Sequence, residues 1–176
     1  IKIKEEQMQK VGNFEKVSFE QFASAMKVEF GIGETEAKMM YDLIDLPVRA
    51  TTGSAGYDFK SPISVTLAPG ASAKIPTGIR VKIDEGWWLC CAPRSGLGCK
   101  YRMQLDNTIG VVDSDYYNSD NEGHIYAKIT NDSREGKDLV IGAGDRFVQT
   151  IFIPYGITYS DAAEGVRNGG WGSTGS

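Results

Sequence analysis

The apolar period of this chain changes from about 3.6 to 2 near residue 48. Ile79, Val81 and Ile83 alternate with Arg80 and Lys82, and Ile125, Ala127 and Ile129 alternate with Tyr126, Lys128 and Thr130. Successive side chains of a strand point to opposite faces, so this alternation marks half-buried antiparallel strands. Turn-forming triplets separate the runs: Ala68-Pro69-Gly70, Pro76-Thr77-Gly78, Asp84-Glu85-Gly86 and Gly142-Ala143-Gly144. Many short strands at such spacing close into a sandwich, jelly roll or barrel. At 176 residues and 41% apolar the chain has the length and composition of one domain with its own core.

The N-terminal quarter is helical in pattern. Ser18 with Gln21 three residues later forms a capping-box signal, after which Phe19, Phe22, Ala23, Met26 and Phe30 recur at helical spacing. Gly31-Ile32-Gly33 stops this helix. A second is expected with Ala37, Met40, Tyr41 and Ile44 on one face and Glu34 paired to Lys38, ending before Pro47. The expected division is a helical extension over 1–45, a β core over 46–160 and a C-terminal arm over 161–176. An amphipathic hairpin of this kind is expected to cover an apolar surface of the core, with docking of a protein partner as the alternative.

Charge and composition exclude several classes of function. A formal charge of −4 argues against a basic face for nucleic acid, since phosphate neutralisation supplies most of that affinity. His124 is the only histidine, so a multi-histidine zinc site is excluded. Cys90, Cys91 and Cys99 have no Cys-x-x-Cys spacing and read as buried thiols. No apolar run approaches 18 residues and the opening Ile1-Lys2-Ile3-Lys4-Glu5-Glu6 is no signal peptide, so no membrane association and a cytoplasmic location are expected. Trp87 and Trp88, neighbours on a strand, are expected to face opposite ways, one toward the core and one toward a subunit contact.

Glycine is the unusual count, at 21 of 176 residues against a background of roughly 7%. It collects beside polar residues in five places: Gly53-Ser54-Ala55-Gly56-Tyr57-Asp58; Pro93-Arg94-Ser95-Gly96-Leu97-Gly98; Asn107 through Tyr116; Gly144-Asp145-Arg146-Phe147-Val148-Gln149; and Arg167 through Gly175. Each alone is ordinary turn chemistry. Together they point to phosphate, because Gly admits backbone N–H groups to an anion while Arg and Ser add charge-assisted and hydroxyl hydrogen bonds. By composition alone, the Gly- and Ser-rich stretch from Val166 to Ser176 reads as a disordered terminus.

In this order the five segments resemble the five motifs of the trimeric deoxyuridine triphosphatase (dUTPase) family, across residues 46 to 175. The resemblance implies a mainly β, jelly-roll barrel with an N-terminal helical extension. It implies a homotrimer with three shared sites, and Mg²⁺-dependent cleavage of dUTP to dUMP and pyrophosphate. Asp113 matches the general base that activates water toward the α-phosphorus; on the residues alone a turn aspartate is the plainer reading. Tyr116 matches the ring that packs under the deoxyribose and leaves no room for a 2′-hydroxyl, although a core tyrosine is the plain alternative. Asn107, Gly110 and Val112 match the hairpin whose backbone reads uracil.

Arg94, Ser95 and Gly96 match phosphate contacts of the second motif and Gln149 that of the fourth. Arg146 matches an arginine that supports the Asp113 carboxylate, and Asp58 the carboxylate that holds Mg²⁺ through water. Arg167, Gly172, Ser173 and Thr174 match γ-phosphate contacts of an arm that closes as a lid, with Trp171 where the family carries the Phe that stacks on uracil. Two departures stand out. Arg167-Asn168-Gly169-Gly170 is one residue shorter than the Arg-x-x-Gly-Gly of many relatives, and Tyr116 is followed by a polar stretch to Gly123 that looks like an insertion. The residues 117–123 are expected to form a surface loop, with a partner-binding loop as the rarer alternative. A deoxycytidine triphosphate deaminase of the same fold and a regulatory nucleotide-binding protein are the rival functions.

Overall fold

In the computed structural model, which describes residues 8–165, 167 and 169, the stretch from residue 48 resolves into short strands. They are β2 (Val48–Arg49), β3 (Tyr57–Lys60), β4 (Val65–Leu67), β5 (Ser72–Pro76), β6 (Ile79–Ile83), β7 (Trp87–Pro93), β8 (Met103–Leu105), β9 (Gly110–Val112), β10 (Tyr126–Asn131), β11 (Leu139–Ile141) and β12 (Arg146–Pro154). Ahead of them stand β1 (Gly12–Lys16), α1 (Phe19–Phe30) and α2 (Glu34–Asp42), and α3 (Ser95–Tyr101) follows β7. Among the described residues every strand pairing is antiparallel, in sheets ordered β2-β3-β12-β7-β9, β5-β10-β8, β11-β4 and β1-β6.

The alternating residues do as their period requires. Ile79, Val81 and Ile83 of β6 and Ala127 and Ile129 of β10 are buried in one core with Phe59, Ile75, Leu89, Met103 and Phe147. Trp87 packs against this core and both tryptophans are only half-buried. Of the cysteines only Cys91 is buried; Cys90 is half-buried and Cys99 exposed, which corrects the expectation of three buried thiols.

The helical extension has a small core of its own, formed by Val17, Phe22, Met26, Ile32 and Ala37. Phe30, Ile44 and Ile63 pack against both cores and join them. The Ser18 hydroxyl accepts from the Gln21 N–H at 3.2 Å, and Gly31 ends α1 at φ +68°, where glycine carries no Cβ penalty. Burying a side chain such as Phe22 contributes about 1.5–3 kcal/mol. Lys38 pairs with Asp42, not with Glu34, four residues away in the other direction along α2.

One strand of the extension was not expected. β1 adds to β6 with Phe14 opposite Val81, and the Phe14 ring lies 5.2 to 5.7 Å from those of Tyr57, Phe59 and Phe152. The expected boundary at residue 45 thus divides two paired strands.

Candidate active site

The residues singled out in the sequence fall into two groups in one chain. The first gathers where β3 and β12 pair. Gln149 lies opposite Asp58 on one side and Ala92 of β7 on the other. Asp58 is shared by two arginines: Arg94 Nε approaches Oδ1 at 3.2 Å and Arg146 Nη1 approaches Oδ2 at 3.2 Å. The carboxylate is 12% exposed and the guanidinium-bearing side chains 35% and 48%, so this cationic pair faces solvent across a nearly covered anion. Arg146 therefore meets Asp58 here, not Asp113. Arg94 precedes the first turn of α3, where Ser95 and Gly96 are exposed. A cleft of about 450 Å³ lined by Asp45, Val48, Asp58, Lys60 and Arg146 opens alongside. A larger cavity of about 680 Å³, between α2 and the loops at Pro62 and Ala143, is lined by only Gly144 of the five glycine-rich segments.

The second group surrounds β9. The turn from β8 to β9, which joins two sheets, carries Asn107, exposed at its tip; Ile109 N–H bonds Asn107 O at 2.7 Å and closes a tight turn about Thr108 at φ +69°. Asp106 fixes the base of this turn through Thr130 and Lys128, and those donors hold its carboxyl below the usual range. A Cβ on Gly110 would stand 2.9 Å from Cys91 Cβ, so glycine there lets β9 lie close against β7. Val112 is buried opposite Leu89. Asp113 follows at the head of a 3₁₀ turn, Ser114–Asn118, with its side chain 47% exposed. Arg167 of the C-terminal arm reaches back to it. Its Nη2 pairs with Asp113 Oδ2, its Nε lies 3.0 Å from Asp115 Oδ1, and its guanidinium stands 5.7 Å from the centre of the Tyr116 ring. Trp171, Gly172, Ser173 and Thr174 lie outside the described residues.

Tyr116 is buried, with 3% of its surface exposed. Its hydroxyl donates to His124 O at 2.8 Å and accepts from Asn121 Nδ2 at 2.8 Å. Burial pushes its phenol up to about 12, against the pull of the Asn121 donor, so it stays a donor at physiological pH. His124 is buried too; desolvation, then the nearby Lys74, bring its pKa down to about 3, and the neutral ring accepts from Gly78 N–H at Nε2. Asp106 was missed in the sequence because Thr130 and Lys128 come near it only in the fold; Asn121, five residues from Tyr116, was missed because its polar stretch reads as a surface insertion.

The dUTPase family model matches residues 42–175, about three quarters of the chain, including both groups. The chain belongs to the dUTPase family. The deoxyuridine 5′-triphosphate nucleotidohydrolase of Lactococcus lactis is 40% identical over 135 residues, covering 75% of this chain and 89% of that protein. The enzyme of the same name from Klebsiella pneumoniae is 36% identical over 138 residues, covering 74% and 86%. Among solved structures, the dUTPase of Streptococcus mutans superimposes with a TM-score of 0.61 at 30% identity over 83% of this chain and 98% of that one. The dUTPase of Staphylococcus aureus phage phi11, described with a structural Mg(II) ion, matches in fold with a TM-score of 0.56 at 23% identity, covering 69% and 90%. The architecture above is thus the mainly β fold of the dUTPases with an added N-terminal helical unit. No helix among the described residues is long and apolar enough to cross a membrane.

Proposed function

We propose that this dUTPase-family chain hydrolyses dUTP to dUMP and pyrophosphate by attack of a water on the α-phosphorus, with Asp113 as general base. The observation that carries this is the family match together with the position of Asp113, which stands exposed at the end of β9 beside the buried Tyr116 and the uracil-reading turn. Phosphoryl chemistry asks the protein mainly for positioning and charge stabilisation, with one carboxylate to align the nucleophile. Tyr116 packs under the deoxyribose, and the backbone of Asn107, Gly110 and Val112 reads uracil. Arg94, Ser95, Gly96 and Gln149 contact the phosphates. Arg167, Gly172, Ser173 and Thr174 contact the γ-phosphate, and Trp171 stacks on the base, so the arm closes as a lid.

The separation of the two groups supports the reading of a shared site in a homotrimer. Val112 lies opposite Leu89, so Asp113 comes level with Trp88, six residues before Arg94; an extended strand advances roughly 3.3 Å per residue, so Asp113 and the Arg94 group stand about 20 Å apart along β7. That span favours their meeting a single triphosphate only with the help of a second chain. A neighbouring copy supplying the second group resolves this, and Ile109 and Val111 beside the turn expose 43% and 54% of their surface for such a contact.

Mg²⁺ fits the residues present in an outer-sphere manner. No cluster of three or more potential ligands occurs among the described residues, and Asp58 offers one hard oxygen donor next to the phosphate-binding arginines. Mg²⁺ keeps its waters and is commonly held by substrate phosphates plus one or two carboxylates. Bound there, it would neutralise triphosphate charge. Around it, Arg146 steadies Asp58, and Arg94 must exchange Asp58 for a phosphate oxygen as substrate enters.

Incubation with dUTP and dCTP separately tests the assignment. Release of dUMP and pyrophosphate from dUTP alone is expected. A uracil nucleotide formed from dCTP would replace it with the deaminase, and binding without turnover would leave a regulatory protein. Titration with a non-hydrolysable dUTP analogue should quench fluorescence in the wild type and fail to do so in Trp171→Phe.

A further inference from the structure

Residues 117–123, between the 3₁₀ turn and β10, do not lie free on the surface. Only Asn118 and Asp120 are exposed; Ser119 and Gly123 are buried and Tyr117, Asn121 and Glu122 half-buried. Glu122 clamps the first residue of the helical unit. Its Oε2 accepts from the Ser18 N–H at 2.7 Å and its Oε1 from the Ser18 hydroxyl at 2.6 Å, across 104 residues of sequence. Burial pushes this carboxyl up, but the two Ser18 donors outweigh it and leave its pKa below the usual value. The backbone of Glu122 has φ +60°, a conformation glutamate rarely adopts, so the clamp holds a turn that the local sequence does not favour. A Cβ on the next residue, Gly123, would meet Tyr117 Cα at 2.7 Å and Tyr116 O at 2.8 Å, so the turn closes directly beneath the Tyr116 backbone.

Two more ties join the same segments. Tyr117 Oη donates to Glu15 of β1 at 2.7 Å, while the Arg80 guanidinium lies 3.6 Å over the Tyr117 ring. Val17 N–H bonds Gly78 O at 3.0 Å, and Gly78 N–H bonds His124, whose carbonyl holds the Tyr116 hydroxyl. Tyr116 itself sits in a single 3₁₀ turn, a structure too short and poorly bonded to fix a ring by itself. Its ring is held from outside the turn by Asn121 and His124, and His124 is tied through Gly78 to Val17.

We propose that Ser18 and Glu122 are positioning residues for the sugar pocket: the segment Glu15–Ser18, acting through residues 117–123, sets where the Tyr116 ring stands and so how strictly a 2′-hydroxyl is rejected. This rests on Tyr116 facing the deoxyribose, as proposed above. Rejection by contact is steep in distance, and displacement of a positioned group by about 1 Å costs up to roughly 10²-fold.

The test compares kcat/KM for dUTP with that for UTP in Ser18→Ala, Glu122→Gln and the double variant, with Ser18→Thr as the conservative rescue. Ala25→Gly serves as a control that weakens α1 away from the clamp. Each single variant should lower the dUTP-to-UTP ratio about tenfold, the double no further, while Ser18→Thr and Ala25→Gly leave it unchanged. A ratio held within twofold in Ser18→Ala and Glu122→Gln overturns the proposal and makes the extension a cover only. Amide hydrogen exchange reads the coupling without turnover. The Tyr116, Ser119 and His124 amides should exchange about tenfold faster in Ser18→Ala, while those of β12 should not. Unchanged exchange also overturns the proposal, whereas faster exchange in Ser18→Ala together with a wild type that leaves dUTP intact would instead overturn the assigned activity.

Discussion

The sugar and base side of the site is held by hydrogen bonds among buried groups, whereas the phosphate side is held by ion pairs between the residues proposed to meet the substrate. Tyr116 is fastened by the buried His124 and the half-buried Asn121. Among the described residues the side chains of Asp58, Arg94 and Arg146 pair only with one another. The first arrangement is ready before the nucleotide arrives. The second must trade partners when it does, because a phosphate and the Asp58 carboxylate compete for the same guanidinium donors. The exposed Asp113, paired with Arg167, resembles the phosphate side in this respect.

The largest effect that would break this contrast is at Asp113. Asp113→Asn keeps the size of the side chain and removes the base, so turnover should fall by about 10²–10⁴-fold. Analogue affinity should change only a few-fold, since the buried pocket for sugar and base is untouched. Pyrophosphate release and calorimetric titration of the same preparation check the two halves. A variant retaining near wild-type kcat would remove Asp113 from the mechanism.

The next prediction concerns the buried side. Below its ordinary value of 6.5, the unfolded chain takes up a proton at His124 that the folded chain refuses until about pH 3. The unfolded state then binds more protons, so stability falls as pH drops through that window. The loss reaches about 2 kcal/mol by pH 5. His124→Gln retains an acceptor for Gly78 and should flatten the melting temperature between pH 6.5 and 5. Because this is the only histidine, a slope that persists in the variant would show that another group is responsible.

On the phosphate side, Asp58→Asn releases two arginines and removes the carboxylate proposed to hold Mg²⁺ through water. Metal-free binding of pyrophosphate should tighten by about tenfold, while the Mg²⁺ concentration for half-maximal activity should rise by a similar factor. Weaker metal-free binding would mean that Asp58 orients the arginines more than it competes with the anion.

The two sides also differ in how far the sequence reveals them. The strands of the core are legible because one face of each is buried, which imposes the period of 2 on Ile79–Ile83 and Ile125–Ile129. β1 is not, since Phe14 alone enters the aromatic cluster and Asn13, Glu15 and Lys16 leave no pattern. α3 is hidden by Gly96 and Gly98, which read as a turn. The five motifs are legible as a set, but their pairings are not. Nothing local in Glu122 announces Ser18, and nothing in Arg146 announces Asp58 over Asp113, because topology decides which distant residues become neighbours.

The smallest effect would show whether the ready-made side also stores backbone strain. Thr108 is β-branched and sits at φ +69° in the tip of the turn proposed to read uracil, a conformation that costs an ordinary L-residue about 1–2 kcal/mol. Thr108→Gly relieves this but adds freedom to the unfolded chain worth about 0.5–1 kcal/mol, so the net gain is at most about 1.5 kcal/mol. The melting temperature should rise by no more than about 6 °C. Analogue affinity should fall a few-fold, because the Asn107 carbonyl and Ile109 N–H are then held less firmly. Higher stability with unchanged affinity would separate the turn's strain from recognition, leaving the hydrogen bonds at Tyr116 as the whole of the difference between the two sides.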